Sequence, residues 1–220
     1  MVVTIDDGSI ERPAGRRGRA TRQRLLEATA ALLESGPYRT LTVVDIARDA
    51  GTSPAAFYQY FADAEDAVLA LASDLADTAG PALAASITGV DWARDDAMAA
   101  ALGVADAFLD LWERDRAILR VVDLATDEGD QRFRDVRSRM LNAPSEAFVA
   151  VLRKLPPGTV TDPLADAGVL VSMLAHVAAH VVGLQAWGAG LDELRRTMAR
   201  VVASTLTGQL SSFGAPSARS

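Results

Sequence analysis

Between Asp166 and Asp192 the chain carries no charged side chain: residues 167–191, 25 in all, contain no Asp, Glu, Lys or Arg. Few environments suit a stretch of that length and polarity. A membrane is one, since about 20 apolar residues suffice to cross a bilayer. Against it stand His176, His180, Gln185 and four glycines within the stretch, together with the lack of an aromatic belt or a basic loop at its flanks. The other environment is a protein interior. A helix that is apolar all round is buried all round, and a chain of 220 residues has little left to cover its last helices. A second copy of the chain supplies that cover. The expectation is a homodimer held through the last two helices, residues 164–187 and 191–210.

The remaining sequence is helical in pattern. From residue 20 to 35 the positions Leu25, Leu26, Thr29, Leu32 and Leu33 recur at helical spacing, and Gly36-Pro37 stops that helix. Thr42 caps a short second helix, 43–50, which is expected to bury Val44, Ile46 and Ala47, and Gly51 ends it. Ser53 is a good N-cap and Pro54 fits a first helical position, so "PAAFYQYF" is expected to make two turns of a third helix. Asp63 opens a fourth, 64–86, with a break expected near Gly80-Pro81. A fifth spans 92–114, with Met98, Leu102, Ala105, Leu109 and Trp112 on its inner stripe. Residues 116–126 form a sixth, and 130–155 a seventh that carries Pro144 as a bending point. No segment alternates as a half-buried strand does, so the fold class is all-α. Half the residues are apolar, enough for a sizeable core, and the absence of cysteine excludes disulfides and thiolate chemistry.

Charge divides the chain. Between Arg12 and Ala62 eight arginines stand against four acids, whereas from Asp63 onward 14 basic residues face 22 acidic ones. A small basic part followed by a large acidic one points to two domains with different partners. The expected organisation is a flexible basic arm over 1–19, a DNA-binding domain over 20–62, a larger six-helix domain over 63–210 and a disordered tail over 211–220. Residues 1–24 hold Asp6, Asp7, Glu11 and six arginines without an apolar run, so no secretory signal is read there and a cytoplasmic location is expected.

The chain has twelve aromatic residues, and four of them, Phe57, Tyr58, Tyr60 and Phe61, fall within "FYQYF". Phe57 and Phe61 lie four apart and share a helix face; Tyr58 lies off that face, with Gln59 and Tyr60 at its edge. The phenylalanines are core and the tyrosines are presented. Two short helices joined at a glycine, over residues 42–61, have the length of a helix-turn-helix, whose second helix enters the DNA major groove.

The stretch "LTVVDIARDAGTSPAAFYQYFADAEDAVLAL" resembles the DNA-binding domain of the TetR family of bacterial transcriptional regulators. The resemblance is carried by Thr42, Ile46, Ala47, Ala50, Gly51, Ser53, Phe57, Tyr58, Tyr60, Phe61, Asp63, Glu65 and Val68, and its specific part covers residues 20–72. The family's lysine at the start of the fourth helix is Ala64 here, and Thr52 stands where the family favours an apolar residue. The resemblance implies that Tyr58, Thr42 and Ser53 contact phosphates while Pro54, Ala55, Ala56, Gln59 and Tyr60 face bases and sugars. Arg16, Arg17 and Arg19 can replace the missing lysine at the phosphates. Hydroxyls fix register on the backbone, and glutamine can pair with adenine. Alternatively, Tyr58 and Tyr60 simply cover the domain junction.

In the larger domain His176 and His180 are four apart, a metal-compatible spacing, but no third ligand joins them. A histidine pair in a subunit interface is the better reading, and no metal site or cofactor is expected. Asp106 and Asp110 read as a solvated face, and no nucleophile–base–acid set suggests an enzyme. Phe108, Trp112, Met140, Phe148 and Met173 are ordinary core taken singly; as a set they can line an apolar effector cavity. The resemblance places the family's effector pocket in the same region. The reading is a homodimeric repressor released from palindromic operator DNA by an apolar or amphipathic small molecule. Two alternatives stay open: an all-α small-molecule-binding protein without an operator, and an architectural DNA-binding protein. The basic arm and intact third helix count against the first, and the net acidity counts against the second.

Overall fold

The computed structural model describes residues 15–93, 95–160 and 162–208. Most of the expected arm and all of the expected tail therefore lie outside the described residues. The chain forms two compact units, one up to Asp74 and one from Leu75 onward. Among the described residues there is no strand, and no helix is long and apolar enough to cross a membrane.

The first unit contains α1 (Arg16–Ser35), a 3-10 turn (Tyr38–Thr40), α2 (Val43–Asp49), α3 (Pro54–Phe57) and the start of α4 (Ala64–Thr88). Its core gathers Leu25, Leu26 and Ala28 of α1, Ile46, Ala47 and Ala50, Phe57, Phe61 and Ala67. Ala67 belongs to this core and Leu71 packs against it, which is why the unit extends into α4 and does not stop before it. α1 begins at Arg16, behind Gly15 as N-cap, so Arg16, Arg17 and Arg19 are helical and not part of an arm. Arginine is a good helix former, and a helix start needs no apolar periodicity. Val44 is 59% exposed, contrary to the expected burial. The buried face of α2 runs through Ile46, Ala47 and Ala50, which turns Val44 and Arg48 to the opposite side.

The second unit contains the rest of α4 followed by α5 (Ala97–Arg114), α6 (Arg116–Asp127), α7 (Gln131–Leu152), α8 (Pro163–Ala179), α9 (Val181–Ala186) and α10 (Leu191–Leu206). α7 packs against α6 and α8, and α10 lies along α5. α4 does not break at Gly80-Pro81: Pro81 sits inside a continuous helix, on its exposed side. Gly80 serves a different purpose. A Cβ there would stand 2.9 Å from the Met140 carbonyl oxygen, so the glycine permits a close α4–α7 crossing. α5 starts at Ala97 behind an Asp96 cap, whose carboxylate accepts the Met98 and Ala99 N–H groups. It buries Ala101, Val104, Ala105, Phe108, Leu111 and Trp112, a stripe rotated from the expected one, and leaves Met98 37% exposed. The expected helix over 164–187 is interrupted at His180, with φ −115° and ψ 15°. The His180 ring Nδ1 lies 2.9 Å from the His176 carbonyl oxygen; a carbonyl only accepts, so Nδ1 donates.

Candidate functional site

α2, the turn and α3 are built by local hydrogen bonds. The Thr42 hydroxyl accepts the Asp45 N–H at 3.1 Å and donates to Asp45 Oδ2 at 2.6 Å. Arg48 donates to the other carboxylate oxygen at 2.5 Å. These bonds, the Thr42 one first, hold the Asp45 carboxyl below its ordinary pKa. At the end of α2, Gly51 N–H reaches the Arg48 carbonyl and Thr52 N–H the Ala47 carbonyl, at 3.1 and 2.8 Å. This pair of bonds is a Schellman motif, and it requires the left-handed backbone that Gly51 supplies, φ +63°. The Ser53 hydroxyl then accepts the Ala56 N–H at 3.1 Å and keeps its own proton for an outside acceptor. The Thr42 hydroxyl has no proton left to give a phosphate while it holds Asp45.

α3 is one turn of α-helix, not two. After Phe57 the chain tightens into bonds from Gln59 N–H to the Ala56 carbonyl and from Tyr60 N–H to the Phe57 carbonyl. The expected division holds for Phe57 and Phe61, which are buried, and for Tyr58, which is 55% exposed, but not for Tyr60, which was expected to be presented. Phe57 anchors the motif, with ring centroids 5.5 Å from Phe61 and 5.8 Å from Tyr58, the latter edge to face. Ser53, Pro54, Ala55, Tyr58 and Gln59 are exposed in sequence order on one short segment, with Ala56 half-buried. Tyr60 is half-buried and packs against the first unit's core. Arg16, Arg17 and Arg19 are exposed on the first turn of α1. Arg48, exposed beside Asp45, is a basic group of the motif that the sequence reading did not single out.

In the second unit Phe108, Trp112, Met140 and Phe148 are buried and Met173 is half-buried. The Phe108 and Trp112 rings stack with centroids 6.1 Å apart. Trp112 Nε1 and Thr126 Oγ1 are buried polar atoms without a hydrogen-bond partner among the described residues. None of the five expected effector residues lines the cleft of about 810 Å³ at the ends of α4, α7 and α10, whose walls include Trp92, Val151, Leu155 and Leu206. Trp92 was expected inside α5; it lies before that helix, with its indole N–H bonded to the Ile87 carbonyl at 2.9 Å. Asp106 was read as a solvated face. It takes a bidentate hydrogen bond from Arg195 of α10, with the Nη2 contact at 2.6 Å.

The uncharged stretch is covered on one side only. Ala167, Leu170, Val171, Leu174, Ala175 and Ala178 are buried, whereas Val169, Val182 and Trp187 are 66, 58 and 86% exposed. His176 and His180 are exposed on this stretch, stacked with ring centroids 4.1 Å apart. Among the described residues no group of three or more potential metal ligands exists.

A sequence profile of tetR-family bacterial regulatory proteins matches residues 25–71. One of tetracyclin repressor-like C-terminal domains matches residues 83–212. Among solved structures, the chain is similar to a TetR-family transcriptional regulator from Mesorhizobium loti, with 21% identity, a TM-score of 0.65 and coverage of 87% of this chain and 97% of that one. It is also similar to the fatty acid degradation regulator FadR of Bacillus halodurans, with 16% identity, a TM-score of 0.64 and coverage of 84% and 94%. FadR of Bacillus subtilis, solved in complex with stearoyl-CoA, gives 16% identity, a TM-score of 0.62 and coverage of 84% and 98%. No curated protein matches the chain.

Proposed function

We infer that this chain, which belongs to the TetR family of bacterial transcriptional regulators, is a repressor that reads a palindromic operator as a homodimer and releases it on binding a small molecule. The observation that carries the reading is the exposed run Ser53, Pro54, Ala55, Tyr58, Gln59, held out by Phe57 and Phe61 beneath it. Tyr58 and Ser53 donate to phosphates, with Arg16, Arg17 and Arg19 as cationic anchors in place of the lysine that Ala64 replaces. Gln59 and the small residues Pro54, Ala55 and Ala56 face base edges, with Tyr60 at their border. Thr42 acts through Asp45 and Arg48, setting the start of α2. In this reading α8, α9 and α10 form the dimer, because Val169, Val182 and Trp187 cannot remain together in water without cost.

The effector binds among α4–α8, against Phe108, Trp112, Met140, Phe148 and Met173. The unpartnered Trp112 N–H supports this reading, since a buried donor left without an acceptor costs about 1–3 kcal/mol that a ligand oxygen would recover. An acyl chain of the kind FadR of Bacillus subtilis carries suits such a lining. α4 begins in the first unit and ends in the second, so a ligand that prefers one setting of α4 acts on the reading segment. Coupling of this kind is typically about 1–3 kcal/mol, roughly 5- to 150-fold in operator affinity. The test is an operator titration with acyl-CoA esters of graded length. Release by one chain-length range, lost in Trp112→Phe, supports the reading; tight binding with unchanged operator affinity contradicts it.

A further inference from the structure

The chain has two histidines and no cysteine, and the two histidines touch. His176 and His180 stand one helical turn apart at the end of α8, both exposed, with ring centroids 4.1 Å apart and 24° between the ring planes. Spacing alone suits an interface pair and a metal pair equally. The ring geometry favours the metal pair. His180 Nδ1 donates to the His176 carbonyl at 2.9 Å, so in the neutral imidazole the lone pair is left on Nε2, the nitrogen farther from the backbone. Metal-bound histidines almost always spend their second ring nitrogen in this way, on a carbonyl, a carboxylate or water, which fixes the tautomer and the ring orientation. In His180 that preparation is complete before any ion arrives.

We propose that His176 and His180 chelate a divalent transition ion of the kind that prefers imidazole, Zn2+, Ni2+ or Cu2+. A tetrahedral ion with Zn–N bonds of about 2.0–2.1 Å holds two ligand nitrogens roughly 3.3 Å apart. Two exposed rings that already stack reach that separation by rotating about their side-chain bonds. Imidazole suits these ions, whereas Mg2+ and Ca2+ want carboxylate and carbonyl oxygens. Residues 167–191 contain no carboxylate, and among the described residues no third histidine, aspartate or glutamate joins the pair. The donor set therefore selects transition ions and rejects the hard cations. One chain supplies two nitrogens and leaves the remaining positions to water. In the dimer proposed above this face meets a second copy, whose own pair can displace that water.

The experiment titrates the untagged full chain with zinc chloride against a chromophoric chelator and follows the histidine ring C–H signals by proton NMR. With two histidines in the chain these signals are few, and those of both rings are expected to move together in one saturable step at micromolar zinc. Nickel and copper should compete for the site, copper most tightly, and millimolar magnesium should not. Removing even an outer-shell partner of a bound metal costs about 10- to 100-fold in affinity, so His176→Gln and His180→Gln should each weaken zinc binding at least about tenfold. Both side chains are exposed, so thermal unfolding of the metal-free variants is expected to match that of the native chain. The proposal is overturned by zinc binding that leaves the histidine signals unmoved, that persists at native strength in either folded variant or that magnesium displaces, and equally by the lack of saturable binding up to millimolar zinc.

Discussion

In the proposed reading Tyr58 and Gln59 are neighbours with different roles. Tyr58 stands edge-on to Phe57 and is 55% exposed. A phosphate contact carries no sequence information, whereas a good base contact is worth about 1–3 kcal/mol of discrimination. Tyr58→Phe is therefore expected to weaken binding to all duplexes alike, and Gln59→Ala to relax preference at particular base pairs, as read by selection from a randomised site. An unchanged base preference in Gln59→Ala removes Gln59 from the reading set. Thr42 is committed differently. Its hydroxyl gives its proton to Asp45 and accepts the Asp45 N–H, so it caps α2. Because the folded state holds the Asp45 carboxyl below its ordinary pKa, the stability it contributes is present once Asp45 ionises and is lost as pH falls through the lowered value. Below about pH 4 the native chain should lose more stability than Asp45→Asn does, measured by urea unfolding at successive pH values.

Elements were legible where one residue controls their ends. Thr42, Ser53 and Gly51 announce the caps and turn of the helix-turn-helix, and each makes the backbone bond its chemistry favours. Asp63 accepts the Asp66 N–H at 2.8 Å at the start of α4, as its position implies. Misreadings arose where a residue answers to a distant partner. Gly80-Pro81 has the composition of a break, yet Gly80 is there because the Met140 carbonyl of α7 approaches it, a contact 60 positions away that no local pattern reveals. Trp92 fits the start of α5 by periodicity, but its indole bonds back to Ile87 and the Asp96 cap takes the start. The cleft was invisible for the same reason, since its walls come from three helix ends far apart in sequence. Gly80→Ala should accordingly destabilise the fold by about 1–3 kcal/mol through overpacking, despite alanine's better helix propensity. Denaturant unfolding checks it, and a stabilised variant would contradict the crossing. For α8 and α9 the uncharged run was legible in the sequence, but its interruption at His180 was not. Val169→Asp and Val182→Asp alter side chains already exposed in the single chain, so each should leave the monomer folded and shift sedimentation to the monomer. A wild-type-like dimer in both variants rules out this interface.

At the scale of the molecule the acidic net charge of −7 does not prevent DNA binding, because between Arg12 and Ala62 eight arginines face only four acids. Arg16, Arg17, Arg19 and Arg48 are all exposed, and exposed arginines are the groups that supply salt-dependent affinity for DNA. In the proposed reading sequence specificity rests on a short segment of few base-reading side chains, and one such segment reads too little DNA to select a site alone. Two copies related by two-fold symmetry read twice as much and impose that symmetry on the site. The claim is tested most directly by selecting bound duplexes from the genome, mapping the protected bases and measuring the mass of the complex. The account predicts a near-palindromic site occupied by an even number of chains, with half-site centres separated by about 34–36 Å or a multiple of it. A single unrepeated half-site bound by one chain would contradict it.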